Sequence, residues 1–455
     1  MMGGMAQPQT TVTPIAQVGS DVWGLGKRIA FRFAFTYVAL YTFPFPYSSP
    51  YKAPWLHTLW VTVAPWVGAH VLHTTIKPAS GDLGDAAEEY VRILVLLTLA
   101  VFAAALWSIA DRNRPNYERL HQWLRVYVRL FLGAEMVGYG MAKVWPVQFP
   151  LPRLSMLSMP FGDMAPFDVL WNTMGSSRIY TLFAGLTEVL SGVLLFIPRV
   201  ATAGALLSAA ALTNVLFLNL GYNVNVKQYS LHLLLMAGLL LGPDLRGLAG
   251  LLIFHRPVSP IPSKSLFRRP WLNHAALILQ LAYGGYLTTR EFTDGHREVR
   301  QFEETTRTTP FYGMWSVDEL RIDGEVLPAL VTEDHRWWRV IFEPDPYDAK
   351  PDLVVQMTSG VSRSFYADFD KRSTLVKLKA VDDDRLWFPE RFRGQPPAPV
   401  IATLKLNSAT PERLQMEGDF EGRVVQATLR RMEVKFVLQN CGFHWVNDRP
   451  CWTRQ

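Results

Sequence analysis

Hydrophobic and polar positions divide the chain into two unlike parts. Seven stretches, at about 29–46, 90–110, 121–144, 178–197, 200–220, 229–243 and 271–289, are apolar over lengths close to what a hydrocarbon core about 30 Å thick requires. The sixth stops early at Gly242-Pro243-Asp244, and the apolar piece 245–254 after it reads as an interfacial helix. Segment 55–72 is interrupted by Pro65 and carries His57, His70 and His73, so it reads as a surface or re-entrant helix and not as an eighth span. After Arg290 the pattern becomes short and β-rich, at 337–343, 353–357, 362–369, 374–380, 400–406, 413–420, 423–430 and 432–439, with turn residues such as Ser359-Gly360 and Gly422 between. Short strands at this spacing predict a meander that curls into a barrel or sandwich, a barrel being filled by its own side chains. The predicted architecture is a polytopic α-helical bundle of about seven spans over 1–292, followed by an all-β soluble domain over 293–455.

Charge sharpens this division. Residues 1–292 hold 22 Lys and Arg against 13 Asp and Glu, whereas the much shorter 293–455 holds 23 against 26. The formal net charge of +6 therefore comes from the membrane part, and it reflects orientation more than nucleic-acid binding. Alternate loops group Lys27, Arg28, Arg112, Arg114, Arg119, Arg125, Arg199, Arg246, Arg256, Lys264, Arg268 and Arg269, against only Lys52, Lys77, Arg153 and Lys227 on the opposite side. The richer set belongs in the cytoplasm, which puts the N-terminus inside and the β-domain outside. No cleavable signal peptide is read in the polar opening. With 13% aromatic and 18% charged residues, a disordered chain is excluded.

Ionisable groups inside apolar spans are costly and normally face the bundle interior or a watery cavity. Glu135, Tyr139 and Lys143 recur at i, i+4 and i+8 along the third span, Glu188 falls near the middle of the fourth, Asn214 and Asn219 lie in the fifth, and Lys227 follows it. Two readings stand side by side: a proton-handling pocket, with Lys143 and Glu188 as its central groups, for an oxygen-bearing ligand such as a quinone head group, or a structural ion pair that fixes helix packing. The loop 145–177, with Trp145, Trp171, several Phe and Met residues and five prolines, is too apolar to stand free in water; it reads as a lid over a lipophilic ligand, an interfacial anchor, or both. Asp163 within it is a candidate cap for the following turn. The two cysteines, Cys441 and Cys451, flank a turn-forming Asn447-Asp448-Arg449-Pro450 and are expected to bridge in an oxidising compartment. His70 and His73 lack further ligands in view, so no metal site is predicted, and no nucleotide loop, haem-attachment motif or hydrolase triad is present.

The stretches YGMAKVWPVQFP (139–150), PFGDMAPFDVLWNTMGSSRIYTLFAGLTEVLSGVLLFIPR (160–199) and TNVLFLNLGYNVNVKQYSLHLLLMAGLLLGPD (213–244) resemble the DoxX family of bacterial membrane proteins, with the family-like core at about 85–244. The tail ending FHWVNDRP (443–450) resembles the extension of that family's long members. The resemblance implies a quinone-linked redox protein, or an accessory subunit of a membrane redox complex with protein partners, and a lipid quinone as cofactor. A more remote similarity, around Lys143, links the third span to vitamin-K-dependent γ-carboxylases, in which the matching lysine is a base. Three readings of function follow: a quinone-linked redox protein, a non-catalytic assembly subunit docking through its β-domain, and a carboxylase-like enzyme.

Overall fold

The computed structural model describes residues 22–42, 54–76, 84–257, 265–345 apart from 331 and 334, 351–380 apart from 371 and 373, and 399–446 apart from 443. Cys451 lies outside these residues, and the predicted bridge to Cys441 lies outside them with it. The helical part comprises α1 (Leu25–Thr42), α2 (Pro54–His70), α3 (Ala87–Ala110), α4 (Glu118–Val144), α5 (Leu154–Ser158), α6 (Pro166–Ser176), α7 (Arg178–Phe196), α8 (Ala201–Gly221), α9 (Lys227–Leu241), α10 (Leu245–Leu252) and α11 (Pro270–Thr308). Among the described residues, four helical stretches are long and apolar enough to cross a membrane: Ala87–Ala110, Arg178–Phe196, Ala201–Gly221 and Lys227–Leu252. The other long helices are more polar: α1 carries Lys27, Arg28 and Arg32, and α4 carries Arg125, Arg129, Glu135 and Lys143.

Glycine sets the closest helix contact. Gly133 and Gly140 on α4 face Gly192 and Gly185 on the antiparallel α7, both pairs seven residues apart. A Cβ on Gly140 would lie 2.7 Å from the Gly185 carbonyl oxygen and from the Val189 nitrogen, and one on Gly192 would lie 2.7 Å from the Gly133 oxygen. These are backbone atoms that no rotamer change can remove, so only glycine lets the helices meet this closely. Charge inside the bundle is met by hydrogen bonds: the buried Arg32 donates to Tyr117 Oη (3.0 and 2.9 Å), Ser108 Oγ (2.8 Å) and the Asp111 carbonyl (2.9 Å).

The expected last span, 271–289, is the first half of a longer helix. α11 runs 39 residues without a break, through the predicted domain boundary at 292/293. Its length is about 58 Å, nearly twice a hydrocarbon core. The polar stretch 290–308 stays helical because Gly295 packs against the Trp145 ring and because the sequence there is rich in helix formers.

The β-domain is a barrel, not a sandwich. Strands β1 (Gly313–Ile322), β3 (Trp337–Pro344), β4 (Pro351–Met357), β5 (Ser362–Phe369), β6 (Leu375–Ala380), β7 (Val400–Thr410), β8 (Arg413–Phe420) and β9 (Arg423–Met432) form an antiparallel meander that closes through β1 and β9. The two-residue β2 (Glu325–Val326) extends only the β1 hairpin. Inward-facing Trp315, Phe342, Phe365, Leu404, Leu414 and Leu429 fill the interior. Two expectations are corrected. Strand β1 is not among the expected strands, because Asp318-Glu319 interrupts its alternation where the strand bulges against β9. The predicted strand 432–439 is instead the end of β9 followed by a short helix, α12 (Val437–Asn440), since β9 already completes the closed barrel.

Replacing Gly140 by Leu should therefore destabilise the bundle by about 1–3 kcal/mol or more, read as a lowered thermal midpoint in detergent; an unchanged midpoint would mean that the helices can separate at no cost. On the barrel, Asp323, Asp370 and Glu421 are held below the usual carboxylate range, by hydrogen bonds from Arg423, from the Leu375 amide and from Arg363 respectively. A folded-state pKa below the unfolded one stabilises at higher pH, and that contribution disappears as pH falls through the folded value. Barrel stability should thus decline below about pH 4, and Arg363→Gln with Arg423→Gln should make the decline shallower in a pH series of melting curves.

Candidate functional site

The glycine contact leads directly to the buried polar centre. Lys143 lies one turn beyond Gly140, and Glu188 lies between Gly185 and Gly192, so the backbone approach sets the two side chains opposite each other. Lys143 Nζ stands 2.7 Å from Glu188 Oε2, with side-chain exposures of only 6% and 5%. The ammonium also approaches the Tyr139 carbonyl (3.4 Å) and lies 5.6 Å from the centre of the Tyr139 ring. Arg178, at the start of α7, donates to the carbonyls of Lys143 (3.1 Å) and Val144, capping the negative end of α4. Lys143 and Glu188 are therefore in direct contact, a geometry that both a proton-handling pair and a structural ion pair allow.

The pair borders a cavity of about 90 Å³. Its polar wall is Tyr139, Lys143, Glu188, Gln148, Asn214, Asn219, Tyr180, Tyr229 and Ser230, and its apolar wall includes Met136, Phe149, Leu170, Trp171, Met174, Leu212 and Leu218. Asn219 is held by its amide donating to Ser230 Oγ at 3.2 Å. Tyr180 of α7 and Asn214 of α8 line the cavity and are also exposed at the surface of the bundle. The buried Gln148 Oε1 has no hydrogen-bond partner among the described residues, an arrangement that asks for a donor from an occupant.

Among the residues singled out from sequence, Lys143, Glu188, Tyr139, Asn214, Asn219 and Trp171 converge on this cavity. Three do not. Lys227 turns away to Asp85, whose carboxylate takes the Lys227 amide at 2.9 Å and Nζ at 3.3 Å and so secures the start of α9. Trp145 packs against Phe292 (5.1 Å) and His296 (4.9 Å) of α11. Glu135 is not among the lining residues. Gln148, Tyr180, Tyr229 and Ser230 line the cavity without being among the expected site residues, although all are polar residues close to the ends of apolar runs. The loop 145–177 supplies Gln148, Phe149, Leu170, Trp171 and Met174 to the wall while leaving Leu151 and Phe161 exposed, so it both covers the cavity and presents apolar side chains outward. Asp163 does not cap α6; Asp168, inside that helix, accepts from the Ala165 amide at 3.3 Å. His70 stacks on Trp66 at 4.9 Å.

Fold and site together define an apolar helical bundle with a buried, ion-paired cavity, joined by one continuous helix to a filled eight-stranded β-barrel. The chain is 33% identical over 150 residues to Uncharacterized protein YwoB of Bacillus subtilis (strain 168), a match that takes in 31% of this chain and 87% of that protein, and the chain belongs to the same family. No family model and no solved structure matches the chain.

Lys143→Met and Glu188→Gln should each destabilise the bundle by about 3–5 kcal/mol, because each strands a buried partner, and the double variant should regain most of that loss. Melting curves of the three variants in detergent decide it; additive losses in the double variant would remove the pair as a unit.

Proposed function

We propose that the chain is a DoxX-type integral membrane protein that receives the head group of a lipid quinone in the cavity beside Lys143 and Glu188, acting as a redox protein or as an accessory subunit of a membrane redox complex. The observation that carries this reading is the buried ion pair beside a cavity whose wall includes Tyr180 and Asn214, both exposed at the bundle surface. A quinone, when bound, supplies reversible two-electron, two-proton chemistry. Its ring carbonyls need donors and its hydroquinone form needs acceptors. Lys143 Nζ, Tyr139 and Asn214 are suited to donate, and Gln148 Oε1 and Glu188 to accept. At about 90 Å³ the cavity has room for little more than a ring, and the prenyl chain would lie outside, between α7 and α8.

In this reading α1, α3, α4, α7, α8, α9 and α11 are seven spans of a bacterial inner membrane, with the N-terminus in the cytoplasm and the barrel in the periplasm. The asymmetry of Lys and Arg between alternate loops supports that orientation. A second reading, a non-catalytic assembly subunit, draws on the filled barrel interior, which leaves the barrel's outer surface as its means of meeting a partner.

Mass spectrometry of native detergent extracts tests the choice. Quinone should accompany the wild-type protein and be lost from the Lys143→Met/Glu188→Gln double variant. Wild-type protein that carries no quinone and binds no added short-chain quinone, yet brings down stoichiometric membrane subunits, would reverse the order of the two readings.

A further inference from the structure

The outward face of a free-standing barrel is normally solvated, yet part of this one is dry. On β3 and β4, Ile341, Glu343, Asp352, Val354 and Gln356 alternate with the side chains that fill the interior, and they too are buried: Ile341 is 0% exposed, Glu343 2% and Val354 2%. The cover is segment 152–158 of the membrane-side loop. Arg153 is its centre. Its Nε reaches Glu343 at 3.1 Å, its Nη1 reaches Asp345 at 3.0 Å and its Nη2 reaches Asp352 at 2.7 Å. Around it, the Ser155 amide donates to Glu343 (3.3 Å) and the Ser155 hydroxyl to the same carboxylate. Gln356 Nε2 donates to Ser158 Oγ (2.9 Å), Gln439 Nε2 donates to the Pro152 carbonyl (3.2 Å), and Leu154 packs against the cluster of Met314, Ile341 and Val354. Burial works against the charge on Arg153, but Glu343, Asp352 and Asp345 raise its pKa above the ordinary guanidinium value, so it remains cationic.

The parts of the loop on either side of this cover wall the cavity. Gln148 and Phe149 lie just before Arg153, and Leu170, Trp171 and Met174 of α6 lie after it. The two ends are fastened together: Phe149 meets Trp171 at 5.0 Å between ring centres, and a Cβ on Gly175 would fall 2.1 Å from the Pro150 oxygen. Residues 148–176 thus have both ends in the cavity wall and the segment 152–158 between them on the barrel.

We propose that Arg153 is a positioning residue that ties the outer wall of the cavity to the barrel, so that the attachment of the barrel regulates whether the cavity is closed. The binding consequence rests on the ligand site proposed above; the mechanical tie does not. Arg153→Lys keeps the charge but offers a single nitrogen to three carboxylates.

The test is hydrogen–deuterium exchange on the full chain in lipid nanodiscs, paired with the binding of a short-chain quinone and with a melting curve. Exchange in 152–158 and in α6 should rise about tenfold or more, the order expected on losing charge-assisted hydrogen bonds, while β5 to β8 and the melting midpoint stay as in the wild type. Quinone affinity should fall in parallel. Arg363→Gln, which removes a barrel ion pair to Glu421, should leave α6 exchange unchanged. The tie is rejected if α6 exchange is unaffected by Arg153→Lys, or if it rises only together with β5 to β8. If the wild type binds no quinone, the ligand reading falls while the exchange comparison still decides the tie.

Discussion

The backbone contact between α4 and α7 is the constraint on which the polar centre depends. Helices in a lipid-like environment gain little from the hydrophobic effect when they associate, because lipid tails are as apolar as their side chains; close packing and shared hydrogen bonds must hold them. Four glycines at heptad spacing bring the two backbones together, and the side chains that follow on each helix are then fixed in register. Lys143 and Glu188 meet because of this. Larger residues at the glycine positions would hold the helices apart, and the two charges would then face each other across a space that their side chains would have to bridge. The cavity lies beside this contact, where α8 and α9 provide larger side chains and the packing opens.

Several charges drawn into the bundle come with their partners already placed. Arg32 has a tyrosine, a serine and a carbonyl; Lys143 has Glu188; Lys227 has Asp85. Burying an ion without such company costs several kcal/mol, so these arrangements specify which helix neighbours which. Arg129 follows the same logic less completely: it reaches Gln280 on α11, while its Nε has no partner among the described residues. It joins two helices that the chain separates by more than a hundred residues.

Much of this could be read in the sequence, and the unread parts have physical causes. Apolar runs locate α3, α7 and α8 closely, since length and hydropathy are local properties. The convergence of Lys143, Glu188, Tyr139, Asn214 and Asn219 was legible because polar residues in apolar helices have few places to go. The direction of Lys227 was not, because Asp85 belongs to a separate helix entry whose packing no periodicity reveals. The glycine pairs were visible as letters but not as a contact, since glycine spacing acquires meaning only when two helices are known to face each other. The dry outer face of β3 and β4 did leave a trace: WRVIFE and DLVVQM are apolar at positions on both sides of their strands, whereas a barrel wall facing water would alternate.

α11 has a consequence beyond joining two domains. A flexible linker would let the barrel wander, and every bond to the loop would then have to overcome that freedom. A single rigid rod of 39 residues instead delivers the barrel already near its mate, so that the contacts made by Arg153, Ser155 and Gln356 behave as intramolecular encounters at high effective concentration. Individually modest bonds are then enough to keep the surfaces together. When they break, the surfaces remain within reach, and reattachment needs no search. The barrel is thereby suited to attach and release repeatedly without ever leaving the bundle.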